Sequence, residues 1–131
     1  MARILIVEDD QDTCEAIAKF LQKHGHECSC VPNGRDALDK AMNETPDLVV
    51  LDLYLPTMDG VSLLQVLRSY LRLHALPVVV WTGVSQGLLV ENARRLKVNA
   101  LLFKSQSSLN DLLQAVEAAL PPESGPSRDI S

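Results

Sequence analysis

Five short apolar runs, each followed by a longer segment of helical period, constrain this chain more than any other feature. "RILIV" at 3–7 reads as a strand, and "QDTCEAIAKFLQKHG" at 11–25 follows with Ile17, Phe20 and Leu21 at helical spacing and Gly25 as a stop. "ECSCV" at 27–31 is a weaker strand, turned by "PNG" into "RDALDKAMNE" at 35–44, where Ala37, Leu38 and Ala41 share a face. "DLVVLD" at 47–52 precedes "GVSLLQVLRSYL" at 60–71, in which Leu63, Leu64, Leu67 and Leu71 are expected to face inward. "PVVVWT" at 77–82 and "ALLF" at 100–103 complete the strands, trailed by "LLVENARRL" and "SSLNDLLQAVEAAL". The order is (βα)5.

Strands this uniformly apolar are buried on both faces, which an all-parallel sheet between two helical layers achieves. Right-handed crossovers then predict an α/β, doubly wound parallel sheet, with a crevice at the carboxyl ends where the order reverses. Residues 1–120 form the expected domain. The closing "PPESGPSRDIS" at 121–131 is aperiodic and polar, and reads as a disordered tail or the start of a linker.

Composition narrows the function classes. With 47% hydrophobic residues in 131, one core is affordable, and a formal charge of −5 argues against a nucleic-acid backbone as partner. Arg94, Arg95 and Lys97 are the densest basic cluster, and a solvated helix face accounts for them. "MARILIVEDD" is too soon acidic for a signal peptide, and no later run is long enough to span a bilayer, so a cytoplasmic protein is expected. Cys14, Cys28 and Cys30 are an odd count in a chain large enough to need no disulfide staples, and Cys28 and Cys30, at strand spacing on one face, read as two buried thiols, not a metal pair.

The strand ends carry the chemistry. Glu8 and Asp9, Asp52, Thr82 and Lys104 follow the first, third, fourth and fifth strands, so the topology gathers them in one crevice. Carboxylates crowded together repel unless a divalent cation neutralises them, and Mg2+ suits an all-oxygen site. A hydroxyl and an ammonium opposite the acids fit a phosphoryl group on Asp52. Taken singly, each residue has a plainer reading: Asp52 as a strand cap, Asp9 or Asp10 as a helix N-cap, Thr82 as an ordinary strand residue and Lys104 as a solvated lysine. Pro56 and Gly60 read as loop chemistry, a fixed turn and a flexible entry to the third helix.

The ordered set "ILIVEDD", "LDLYLPTMDG", "WTG" and "FK" resembles the receiver domains of bacterial two-component response regulators over residues 1–120. The resemblance implies a flavodoxin-like (βα)5 fold of strand order 2-1-3-4-5, and that Asp52 accepts a phosphoryl group from a sensor histidine kinase or a histidine phosphotransfer protein. It implies that Glu8, Asp9 and Asp52 hold Mg2+ with the carbonyl of Tyr54, and that Thr82 and Lys104 contact the phosphoryl oxygens. None of His24, His26 and His74 stands in a donor context, so the donor is another protein.

The departures from the family pattern are specific. Ser105 replaces the usual proline after the lysine, Leu101 replaces the usual switch aromatic, and Asn99 stands where glycine is usual, a position Asn tolerates through its access to left-handed backbone. Phe103 and Trp81 read as core. Tyr54 and Val84 occupy the two positions that border the phosphoryl group; neither supplies a general base, so slow self-dephosphorylation is expected. Signal output is expected from the face of the fourth helix, fifth strand and fifth helix, with Leu88, Val90 and Leu101 as candidate contacts for an output protein or a second copy of the chain. Two alternatives stay open: a receiver-like docking module that works without phosphorylation, and an aspartyl-nucleophile phosphatase similar to the haloacid dehalogenases. The second lacks its acid/base residue, since Tyr54 stands two after Asp52.

Overall fold

The computed structural model describes residues 2–83 and 87–121. Five parallel strands, β1 (Arg3–Val7), β2 (Glu27–Val31), β3 (Leu48–Leu51), β4 (Val78–Thr82) and β5 (Ala100–Phe103), form one sheet of order β2-β1-β3-β4-β5. Helices α1 (Gln11–Lys23), α2 (Gly34–Asn43), α3 (Gly60–Ser69), α4 (Leu88–Arg95) and α5 (Leu109–Ala119) alternate with them.

Side chains on successive strand residues point to opposite faces, and each face has its own core. Ile4, Ile6, Val50, Val79 and Trp81 pack under Ile17 and Leu21 of α1 and Leu112 and Val116 of α5. Leu5, Val7, Val49, Leu51 and Val80 pack under Ala37 and Ala41 of α2, Leu64 and Leu67 of α3, and Ala93 of α4. Apart from the exposed Arg3 that opens β1 and the buried Thr82 that ends β4, the inner strands β1, β3 and β4 are apolar on both faces, as a sheet covered on both sides requires. Each fully buried leucine here contributes about 2 kcal/mol.

Side-chain oxygens start four helices: Asp10, Asn33, Asp59 and Ser108 each accept a hydrogen bond from the backbone N–H three residues on. Gly87, which precedes α4, has no side chain to offer, so α4 is both the shortest helix and the one without this support. Its far end is held instead by Arg68, whose guanidinium donates to the carbonyls of Leu96 (3.0 Å), Leu76 (2.8 Å) and Lys97 (3.2 Å).

Four expectations need correction. Leu71 is 87% exposed because α3 ends at Ser69 and Tyr70 turns to extended backbone; Leu73 fills the core in its place. Val90 is buried, because α4 turns Val90 and Ala93 onto the sheet while Leu89 and Leu96 pack at the margin and Leu88 stays 75% exposed. Cys28 and Cys30 are not a pair of buried thiols, and the fold does carry a staple: Cys30 is exposed and bonded to Cys14, with Cα atoms 6.2 Å apart, while Cys28 is half-buried and free. Asn99 does not need left-handed backbone; its N–H donates to the Val78 carbonyl and its side-chain oxygen accepts from the Val78 N–H, while Lys97 takes the positive φ of 61°.

Candidate functional site

Strand register decides where the polar residues fall. Val7 lies opposite Leu51, and Leu51 opposite Val80, so β1 and β3 end side by side and release Glu8 and Asp52 at the same level. The ladder carries on into the loops: the Asp52 N–H donates to the Val7 carbonyl (3.0 Å), and the Lys104 N–H donates to the Thr82 carbonyl (2.8 Å). Thr82 is the last residue of β4 and fully buried, and Lys104 follows β5 directly.

Glu8 and Asp52 are 4% and 7% exposed, a costly place for two carboxylates without partners. Each of their four oxygens is engaged. Lys104 Nζ reaches Glu8 Oε1 at 2.8 Å and Asp52 Oδ2 at 3.2 Å; the Asp10 N–H donates to Glu8 Oε2 (3.1 Å), and the Tyr54 N–H to Asp52 Oδ1 (3.2 Å). Asp9 stays exposed at the mouth, with a carboxylate oxygen positioned within 4.8 Å of one from Glu8 and one from Asp52.

One ammonium against three carboxylates leaves the pocket short of positive charge. Burial pushes the Glu8 carboxyl above the usual range even though Lys104 and the Asp10 N–H pull it down, and the nearby Asp52 adds to the rise. Burial works against the charge on Lys104, but its ionic hydrogen bonds to Glu8 and Asp52 outweigh that and hold its pKa above the ordinary value. The donor set is all oxygen, partly desolvated and net negative, which fits a hard divalent cation such as Mg2+.

The loop after Asp52 is fixed by a close approach at Gly60, not left as the flexible entry to the third helix that the sequence suggests. A Cβ on Gly60 would stand 2.5 Å from the Asp52 carbonyl oxygen and 2.7 Å from Leu53 Cα, so glycine is required for the start of α3 to lie against the backbone of the acid. The Gly60 N–H donates to the Leu53 carbonyl at 2.8 Å. Asp59, the N-cap, and Thr57, at φ 64°, complete this turn. The signal was present as an Asp-Gly pair with Ser62 placed to be capped.

Tyr54 is 46% exposed at the edge of the pocket, and Val84 lies outside the described residues. Of the candidate output residues, Leu88 is exposed and Leu101 is half-buried against the core, so neither shares Val90's fate of full burial. The peptide bonds among the described residues, that between Lys104 and Ser105 included, are trans, and the Gln106 N–H closes this loop on the Phe103 carbonyl (2.9 Å).

The family model of the response regulator receiver domain matches residues 4–117. The chain belongs to that family. As a receiver domain it is a phosphorylation-controlled signalling domain, regulatory in kind, of a class that binds Mg2+ at an acidic pocket and interacts with histidine kinases or phosphotransfer proteins. It is 35% identical over 86 residues to the protein PilH of Pseudomonas aeruginosa, covering 66% of this receiver and 71% of PilH. It is 34% identical over 119 residues to the transcriptional regulatory protein PdtaR of Mycobacterium tuberculosis, covering 90% of this receiver but only 56% of PdtaR. Among solved structures, the signal receiver domain of a histidine kinase from Syntrophus aciditrophicus superposes with a TM-score of 0.84 at 29% identity, covering 100% of this chain and 96% of that one. The Mn2+-bound form of the response regulator Rcp1 superposes with a TM-score of 0.79 at 27% identity over 92% of this chain and 99% of its own. Among the described residues, no helix of this receiver is long and apolar enough to cross a membrane.

Proposed function

We propose that this receiver is a switch that takes a phosphoryl group on Asp52 from a phosphohistidine on a sensor kinase or phosphotransfer protein. The single observation that carries this reading is the clasp of Lys104 on both Glu8 and Asp52, beside an exposed third acid, Asp9. A structural ion pair would need one acid, whereas this pocket keeps a surplus of negative charge around a carboxylate at its centre.

An oxygen of Asp52 attacks phosphorus as the bond from phosphorus to the histidine nitrogen breaks, and the histidine keeps that electron pair and takes up a proton. Glu8, Asp9 and Asp52, with the Tyr54 carbonyl, would hold Mg2+, and the cation would supply charge neutralisation for the phosphoryl oxygens. Lys104 leaves the acids for a phosphoryl oxygen, and the Thr82 hydroxyl donates to another. The movement of those two residues, at the ends of β5 and β4, biases the face formed by α4, β5 and α5. The shortness of α4 and its glycine start favour α4 as the element that moves. Leu88 is the exposed apolar contact on that face for an output protein or a second copy.

The test is incubation with acetyl phosphate and Mg2+, read on a phosphate-affinity gel. Wild type is expected to shift, and Asp52→Asn and EDTA-treated protein are expected not to. A folded wild type that shifts no more than Asp52→Asn contradicts the reading and favours a docking module that works without phosphorylation.

A further inference from the structure

The acidic pocket has a neighbour that the phosphoryl chemistry leaves unused. Cys14, in the first turns of α1, is 2% exposed and bonded to Cys30 near the end of β2. Cys30 is exposed and borders a cleft of about 310 Å³ shared with Glu8, Asp9, Gln11, Glu15 and Pro32. The 6.2 Å between the two Cα atoms lies within the span a disulfide needs.

This bond joins α1 and β2, each of which holds a part of the Glu8–Asp10 segment that leads from β1 into α1. On the α1 side, the Cys14 N–H donates to the Asp10 carbonyl (3.0 Å) and the Asp10 N–H to Glu8 Oε2 (3.1 Å). On the β2 side, the Glu8 N–H donates to the carbonyl of Val31, next to Cys30 (3.1 Å). A crosslink between Cys14 and Cys30 therefore fixes both anchors of the Glu8–Asp10 segment, and breaking it frees one anchor from the other.

We propose that Cys14 and Cys30 are a reversible thiol–disulfide modification site, exchanged by a dithiol, and that the disulfide form holds the acids in the arrangement that binds a divalent cation more tightly. Exchange starts at Cys30, the accessible sulfur. A thiolate of the dithiol attacks Cys30 Sγ, the bond to Cys14 breaks, and the Cys14 sulfur keeps the electron pair and takes up a proton. The second thiol, giving up its proton, then attacks the mixed disulfide and releases Cys30, which is protonated in turn. Two electrons and two protons pass to the protein, and the dithiol leaves as its cyclic disulfide. The acids around the cleft repel anionic thiols, so an uncharged dithiol is the better reductant. Cys28 stays out of the exchange: it is half-buried, and burial pushes its thiol up to about 11.

The cation half of the proposal rests on the Mg2+ reading above. Protein purified without reductant and protein treated with dithiothreitol, then freed of it anaerobically, are compared in two ways. Alkylation under denaturing conditions with intact mass counts the thiols: one, Cys28, is expected before reduction and three after. Mg2+ titration by calorimetry is expected to give a dissociation constant at least about fivefold lower for the disulfide form. Cys30→Ser, a change at an exposed position, is expected to show the weaker value under both conditions, and Cys28→Ser to keep the difference. Three thiols in the unreduced protein, or equal Mg2+ affinities in the two forms, overturn the proposal while leaving the Mg2+ reading intact. Absence of Mg2+ binding in both forms overturns the Mg2+ reading and the coupling with it.

Discussion

Glu8 shows how one residue ties the pocket to pH. Its carboxyl is held above the ordinary value of 4.5, chiefly by burial, so in the metal-free fold it keeps its proton to higher pH than in the unfolded chain. The stability this contributes is present at low pH and is lost as pH rises through the folded value. Cation binding has the opposite sign, since Mg2+ and the proton compete for the same carboxylate. The Mg2+ dissociation constant is expected to rise as pH falls from neutrality toward 4.5, and Glu8→Gln is expected to bind more weakly with a flatter profile over that window; calorimetry at a series of pH values checks both. At the pocket's edge, Tyr54 offers an exposed ring and no base. Tyr54→Asn admits a hydrolytic water and is expected to speed loss of the phosphoryl group about tenfold, an order below a fully positioned base, as followed by the decay of the phosphorylated band. Thr82 and Lys104 became meaningful only together, because a strand-end threonine or a lone lysine is commonplace.

Among the elements, the junction of β3 with α3 carries the tightest constraint. Gly60→Ala drives a methyl into the backbone of Asp52 and Leu53, where no side chain can yield. The expected cost is about 1–3 kcal/mol, read as a lower urea midpoint, together with slower phosphorylation of Asp52. Gly60 is legible in the sequence as a loop glycine but not as a close approach, because a contact between residues of the same loop has no periodic signal. The same limit explains Leu71. Its spacing continues the α3 stripe past the physical end of the helix, and neither glycine nor proline marks the stop at Ser69. The inner strands, by contrast, were legible because burial on both faces leaves apolar runs such as 4–7, 48–51 and 78–81, whereas the edge strand β2, with Glu27 and Ser29, gave a weaker signal. For α4, Leu89, Ala93 and Leu96 stand at helical spacing, yet it is Val90 and Ala93 that are buried, because the spacing in so short a helix does not fix which side meets the core.

Across the whole molecule, topology was the readable part, and contacts between distant segments were not. Five βα units and one hand of crossover lead to a crevice lined by strand ends, and Glu8, Asp9, Asp52, Thr82 and Lys104 all fall there. The pairing of Cys14 with Cys30 needed the position of α1 over the edge strand β2, which residue spacing does not encode. Nor did the sequence indicate that Lys104 closes on both Glu8 and Asp52. The account as a whole stands on the identity of one oxygen nucleophile. The most direct measurement is to phosphorylate the protein with acetyl phosphate and Mg2+, reduce it with borohydride, which converts an aspartyl phosphate to homoserine, and map the peptides by mass. Homoserine in place of Asp52 alone, and none when Mg2+ is withheld, is the predicted result; homoserine in place of Asp9 or Asp59 with Asp52 untouched would contradict it.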